Sequence, residues 1–218
     1  KDFVARRYAI AALQTLGPEI RPYLDGYAAA LKDEDAGVRF HVAMAFGGVG
    51  PAAAPYAPAI AASLKDADPG VRYWCMVALG GLGEAAAAHG DALFEALRDA
   101  DAHVRVAAAK TIRQVRPGDV PRVVELLTAS LFDRDEEPVF RASSVESLQA
   151  LGDALGTGAE APQCAALGHA LSDGYARVRE VAAAALADLG PAAVLPHSLA
   201  LAALAQGDRD EDVRGAAS

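Results

Sequence analysis

Apolar residues recur along this chain at intervals of three and four, and each run is closed by the same polar phrase. From Val71 onward, Val71, Cys75, Ala78, Leu79 and Leu82 fall on one helical face. Asp68-Pro69 ahead of them supplies an N-cap acceptor and a proline at the first helical position, and Gly83 behind them supplies a C-cap. The preceding stretch from Ala52 to Leu64 is alanine-rich, with Ile60 and Leu64 at helical spacing; Pro55 and Pro58 fall in its opening turns, where proline is best tolerated. Residues 51–83 therefore predict a first helix (A), the polar turn Lys65-Asp66-Ala67-Asp68, and a second helix (B).

This unit is repeated. The phrase Leu64-Lys65-Asp66-Ala67-Asp68-Pro69-Gly70-Val71-Arg72 has close copies at Leu31-Lys32-Asp33-Glu34-Asp35-Ala36-Gly37-Val38-Arg39 and Leu97-Arg98-Asp99-Ala100-Asp101-Ala102-His103-Val104-Arg105. Looser copies run through Asp133 and Arg141, Asp173 and Arg179, and Asp208 and Arg214. The arginines Arg6, Arg39, Arg72, Arg105, Arg141, Arg179 and Arg214 are spaced 33, 33, 33, 36, 38 and 35 residues apart. A fixed period of roughly 20–50 residues marks a stacked-repeat architecture. The pattern predicts B helices near 3–16, 36–49, 69–82, 102–115, 138–151 and 176–189, A helices near 19–31, 52–64, 85–97, 119–131, 161–171 and 192–204, and no strands.

The recurring aspartate and arginine invite a structural reading, because a catalytic pair is needed once and not in every unit. The first aspartate of each turn can accept backbone N–H groups or meet the arginine of an adjacent repeat. Asp33, Arg39, Asp66, Arg72, Asp99 and Arg105 are then rungs of a ladder along the stack.

The pattern Asp-x-x-Val-Arg-x-x-Ala-x-x-Ala-Leu-Gly-x-Leu-Gly, present as Asp68 through Gly83 and echoed from Val178-Arg179 to Gly190-Pro191, resembles the HEAT and HEAT-like repeat family over essentially the whole chain. The resemblance implies an all-α fold, a right-handed α-solenoid of about six to seven HEAT-like helix pairs, arranged as a single array over residues 1–218 and part of a longer solenoid. It weakens around Phe132–Arg141, where two extra residues lengthen the turn, and is weakest at 152–162, where Gly156-Thr157-Gly158 reads as a flexible insertion. Tyr175 replaces the expected capping aspartate in its own unit.

The net charge of −9 disfavours generic nucleic-acid binding, since phosphate backbones are repelled unless basic groups gather on one face. Aromatics make up only 6% of the residues, so the core must be built from Ala, Leu and Val. No apolar run reaches the ~18–20 residues of a membrane span, and the chain reads as soluble. The cytoplasm is the default compartment, with an organelle such as a plastid left open. Cys75 and Cys164 lie in distant repeats and in no CxxC pair, which reads as two buried free thiols.

Nothing in the sequence assembles a reaction centre, and the chain is read as non-enzymatic, with no cofactor and no metal. The histidines His41, His89, His103, His169 and His197 have no partner histidine three or four residues away. The iron-dependent hydroxylase of the HEAT fold resembles a pair of His-Glu clamps, and this chain has no His-Glu dipeptide. Bilin lyases, which handle open-chain tetrapyrroles, are the enzymatic relatives nearest in repeat pattern and give the alternative reading.

B helices line the concave face of such arrays, so aligning the Val-Arg pairs exposes the candidate binding rows. One residue after the arginine stand Arg7, Phe40, Tyr73, Val106, Ala142 and Glu180; two after, Tyr8, His41, Trp74, Ala107, Ser143 and Val181; five after, Ala11, Met44, Val77, Lys110, Glu146 and Ala184. Tyr8, Phe40, His41, Met44, Tyr73, Trp74 and Val77 thus form an apolar, aromatic strip in the first three units, whereas Lys110, Arg113, Glu146 and Asp188 mark an ordinary solvated face farther on. Such patches are typical of interaction sites, and the expected partner is a protein segment, held alone or within a larger complex. Gly47, Gly48, Gly80 and Gly81 beside the strip either admit a partner backbone or mark tight helix packing.

Overall fold

The computed structural model describes residues 2–15, 17–152 and 162–218, which form helices and turns and contain no strand among the described residues. The helices are α1 (Phe3–Gln14), α2 (Leu24–Ala30), α3 (Ala36–Val49), α4 (Ala57–Ala62), α5 (Pro69–Gly81), α6 (Glu84–Ala87), α7 (Gly90–Glu95), α8 (Ala102–Val115), α9 (Val120–Phe132), α10 (Pro138–Leu151), α11 (Pro162–Ala170), α12 (Ala176–Asp188), α13 (Pro191–Val194), α14 (Ser198–Gly207) and α15 (Glu211–Ala216). They group into two compact units, Lys1–Pro117 and Gly118–Ser218. The expected insertion at 152–162 falls on residues 153–161, outside the described residues; Gly152 closes α10 at φ 48° and Pro162 opens α11.

In the first unit the B helices α1, α3, α5 and α8 pack one against the next. Their starts are set by aspartates: Asp35 Oδ1 accepts the Val38 N–H at 2.9 Å, Asp68 that of Val71 at 3.1 Å, and Asp101 those of His103 and Val104 at 2.9 and 3.2 Å. Their apolar stripes supply the core, where Val38, Val42, Phe46, Val71, Cys75, Met76, Leu79, Val104 and Ile112 are fully buried against Ile60 and Leu93 of the A helices. Burial pushes the Cys75 thiol up to about 12, so it is inert at neutral pH. Tyr27 of α2 donates its hydroxyl to the Ile10 carbonyl of α1 at 2.9 Å, joining an A helix to a B helix inside the core.

The A helices of the first unit are not the continuous rods the periodicity predicts, whereas α9 and α11 run unbroken close to the expected 119–131 and 161–171. The first begins as a 3₁₀ turn at Gly17–Tyr23, and the second runs as 3₁₀ over Gly50–Tyr56, α over Ala57–Ala62 and 3₁₀ again over Ser63–Lys65. Pro22 and Pro55 sit inside the opening turns, where each removes an N–H that the α ladder needs; the tighter 3₁₀ winding absorbs the loss. The third is split into α6 and α7 without any proline. There Gly90 carries the Arg116 guanidinium against its Cα, so close that any Cβ would collide, and Arg116 donates to the Ala87 carbonyl at 3.0 Å. A side chain from the following B helix thus caps the carbonyl that the break exposes.

In the second unit α10 packs on α9 and α12, and α12 on α15, around Val145, Leu148, Leu151, Leu167, Val178 and Leu186. The N-caps of α10 and α12 are Glu137 and Tyr175, and neither side chain caps its helix.

Candidate functional site

The aspartate-arginine motif folds into a repeated clamp. Arg39 Nε and Nη2 chelate Asp66 at 2.6 and 2.9 Å, Arg72 chelates Asp99 at 2.7 and 2.7 Å, Arg141 chelates Asp173 at 2.8 and 3.0 Å, and Arg179 chelates Asp208 at 2.8 and 2.8 Å. Arg6 meets Asp33 at 2.7 Å. Each aspartate belongs to the repeat after its arginine and also accepts a backbone N–H two residues on, as Asp66 does from Asp68 at 2.9 Å. The remaining guanidinium nitrogen turns back to its own turn: Arg39 donates to the Asp33 carbonyl at 2.7 Å, Arg72 to Asp66 at 2.8 Å, and Arg105 to Asp99 at 2.6 Å. The Arg6 guanidinium holds the Asp33 carboxyl below the usual range; burial raises that of Asp66, but Arg39 and the Asp68 N–H outweigh it and the net shift is downward. Arg6, Arg39, Arg72, Arg141 and Arg179 are thus each held by a carboxylate of the following repeat, which suits joining one repeat to the next.

The aromatic residues of α3 and α5 meet on the B-helix face of the first unit. Phe40 and Trp74 stand edge to face at 6.5 Å between ring centroids, Tyr73 and Trp74 at 5.5 Å, and Phe40 and His41 at 5.5 Å. Phe40, His41, Met44, Tyr73, Trp74 and Val77 are each half-buried, while Tyr8 on α1 is 73% exposed. The residues of α3 and α5 therefore pack between adjacent repeats of the first unit and remain partly exposed. Where the rows continue on α8, Ala107 is buried and Lys110 exposed.

The glycines beside the strip serve that packing. Gly47 lies under Trp74 and Val77 at 3.5 and 3.6 Å from where its Cβ would be, Gly80 under the Gln114 carboxamide, and Gly81 near the backbone of Gly50. Around Gly48 there is open space.

One part of the site was missed by reading rows alone. The residue after the arginine in one unit lies over the residue two before the arginine in the next: Arg7 on Gly37, Phe40 on Gly70. This offset brings Pro69, Gly70, Asp101 and His103 into an open cavity of about 300 Å³ with Phe40, Tyr73 and Trp74. The signal was in the sequence, as a bulky residue at one position matched by glycine 30 residues later in the first two units.

The family model for HEAT repeats matches residues 24–89 and 57–149. No curated protein matches the chain. Among solved structures, the chain is similar to the Escherichia coli protein YibA (20% identity, 96% of this chain and 71% of that one, TM-score 0.59). It is similar to the HEAT-like repeats protein of the archaeon Thermococcus onnurineus (13% identity, 100% and 94%, TM-score 0.58). It also resembles the phycocyanin lyase complex of CpcE and CpcF from Nostoc sp. (22% identity, 87% and 73%, TM-score 0.50). At these identities the likeness shows the fold alone.

Proposed function

Because the chain belongs to the HEAT-repeat family, we propose that it is a non-enzymatic scaffold whose B-helix face in the first unit holds a segment of a partner protein. The observation that carries this reading is the edge-to-face group of Phe40, Tyr73 and Trp74, partly exposed beside an open cavity. Aromatic anchors beside a pocket are the usual centres of binding energy at protein interfaces, and the clamp keeps the backbone beneath them fixed, so little ordering remains to be done on binding. The test is affinity capture followed by mass spectrometry with wild-type, Trp74→Ala and Lys110→Ala proteins. A partner retained by wild type and Lys110→Ala but lost with Trp74→Ala is expected; retention by all three would sink the assignment of this face.

The alternative, a bilin-lyase-like enzyme or chaperone, draws on the phycocyanin lyase likeness. Incubation with an open-chain tetrapyrrole separates the two, since only the second gives a protein-bound visible absorption band.

A further inference from the structure

The chain contains, one unit away from the aromatic cavity, its own example of what fills such a place. At the start of α3, the Arg7 guanidinium lies flat on Gly37, chelates the N-cap Asp35 with Nε to Oδ1 at 2.6 Å and Nη2 to Oδ2 at 2.8 Å, and sits over the Phe3 ring at 5.3 Å from its centroid. A carboxylate at the helix start, an aromatic face beside it and a glycine that leaves room together make a guanidinium berth. At the start of α5 the same place, beside Asp68 and over Gly70, is filled by the Phe40 ring. At the start of α8 the carboxylate is Asp101, the residue in Arg7's position is the uncharged Tyr73, and His103 replaces the glycine. With a side chain at position 103, Tyr73 has no bare backbone to lie on, and here the cavity opens, lined by Tyr73, Trp74, Phe40 and Asp101.

We infer that this cavity is a berth for an arginine side chain presented by the partner, its guanidinium stacking on Tyr73 and Trp74 and paired with Asp101 as Arg7 pairs with Asp35. This deepens the scaffold reading above and rests on it. Three observations support a cation in particular. The lining includes the rings of Phe40, Tyr73 and Trp74, and aromatic rings attract guanidinium groups. The polar group at the helix start is a carboxylate whose Oδ1 already serves the His103 and Val104 N–H groups, so its charge is fixed in place. The chain as a whole carries −9, which favours approach of a basic segment. The volume of about 300 Å³ lies at the lower end of ligand pockets (~300–1,000 Å³) and suits one long side chain better than a whole cofactor.

Trp74 is the sole tryptophan, so its fluorescence reports on this cavity directly. The experiment titrates the protein with Ac-Gly-Arg-Gly-NH₂ and with the citrulline peptide of the same shape, which lacks the charge. A saturable change with the arginine peptide is expected, with binding about tenfold weaker for the citrulline peptide and for wild type replaced by Asp101→Asn. Asparagine caps a helix as well as aspartate does, so that variant keeps α8 and loses only the charge; Tyr73→Ala, which removes the ring and no cap, should weaken binding as well. Equal binding of both peptides, or no saturable change with either, overturns the inference. A partner captured in a Trp74-dependent way with no preference for arginine would leave the scaffold reading standing and remove only this one; capture indifferent to Trp74→Ala removes the scaffold's assigned face itself.

Discussion

In Lys1–Pro117 and in Gly118–Ser218 the clamp is the same, and nearly everything around it differs. Arg72 on Asp99 in the first and Arg179 on Asp208 in the second are bidentate pairs at 2.7–2.8 Å. Yet α3, α5 and α8 are capped by aspartates, whereas α10 and α12 start at Glu137 and Tyr175 without a side-chain cap. The face rows diverge as far. Phe40, His41, Tyr73 and Trp74 on one unit correspond to Ala142, Ser143, Glu180 and Val181 on the other, where Ala142, Ser143 and Val181 are buried and Glu180 pairs with Arg177 at 2.9 Å. Repeats therefore stack without aromatic residues at these positions, so stacking alone does not require the rings of α3 and α5, and that is the reason to propose a binding role for them.

The clamp's half of this comparison breaks first if the arginine is expendable. Arg72→Ala should lower stability by about 1–3 kcal/mol, since Asp99 and the turn carbonyls of Asp66 and Ala67 lose their donor with side chains only 10–13% exposed; an unchanged thermal midpoint would show that the pairs are idle. The face's half predicts that Trp74→Ala weakens partner binding by about 2 kcal/mol with a smaller loss of stability than Arg72→Ala, and that Lys110→Ala changes neither. Equal losses of binding from Trp74→Ala and Lys110→Ala would erase the distinction between face and solvated row.

The caps offer a sharper comparison between the units. Tyr175 already has the extended backbone of an N-cap, φ −99° and ψ 123°, and is 46% exposed, so Tyr175→Asp should stabilise the second unit by about 1 kcal/mol, measured by urea denaturation. No gain would mean that the absent cap is compensated elsewhere. The smallest effect concerns acid. Arg179 and the Asp210 N–H hold the Asp208 carboxyl down to about 2. A carboxylate depressed on folding adds stability that is fully present above its ordinary value, ~4, and is lost as the pH falls through its folded value. Thermal midpoints of wild type should therefore drop between about 4 and about 2, and Asp208→Asn should flatten that drop; parallel curves would show that the pair does not bind protons differently on folding.

The B helices were legible because each is bracketed by local chemistry. Asp35 and Gly50, like Asp101 and Arg116, bound helices whose limits, 36–49 and 102–115, agree with the periodicity, as do those of α10. The A helices of Lys1–Pro117 were not, because their breaks are decided by prolines that periodicity tolerates and by a distant donor, Arg116, that no local pattern reveals. At the site, the rows gave Phe40, Tyr73 and Trp74, but the cavity needed the stagger between units. Aligning repeats residue for residue hides the fact that Tyr73 faces the start of the next helix, and so Asp101 and His103 went unseen.

The clamp has one further consequence, for how long such a chain can be. The partner of each arginine in the first three repeats lies 27 residues ahead, and the arginines are 33 apart. Excising residues 40–72 would rejoin Arg39 to Tyr73 and leave Asp99 where Asp66 had been, with every bond of the clamp reinstated. Length is then an integer variable. Whole modules can be cut or duplicated at little cost to the frame while the recognition face gains or loses one module's side chains, so size and specificity can be altered independently.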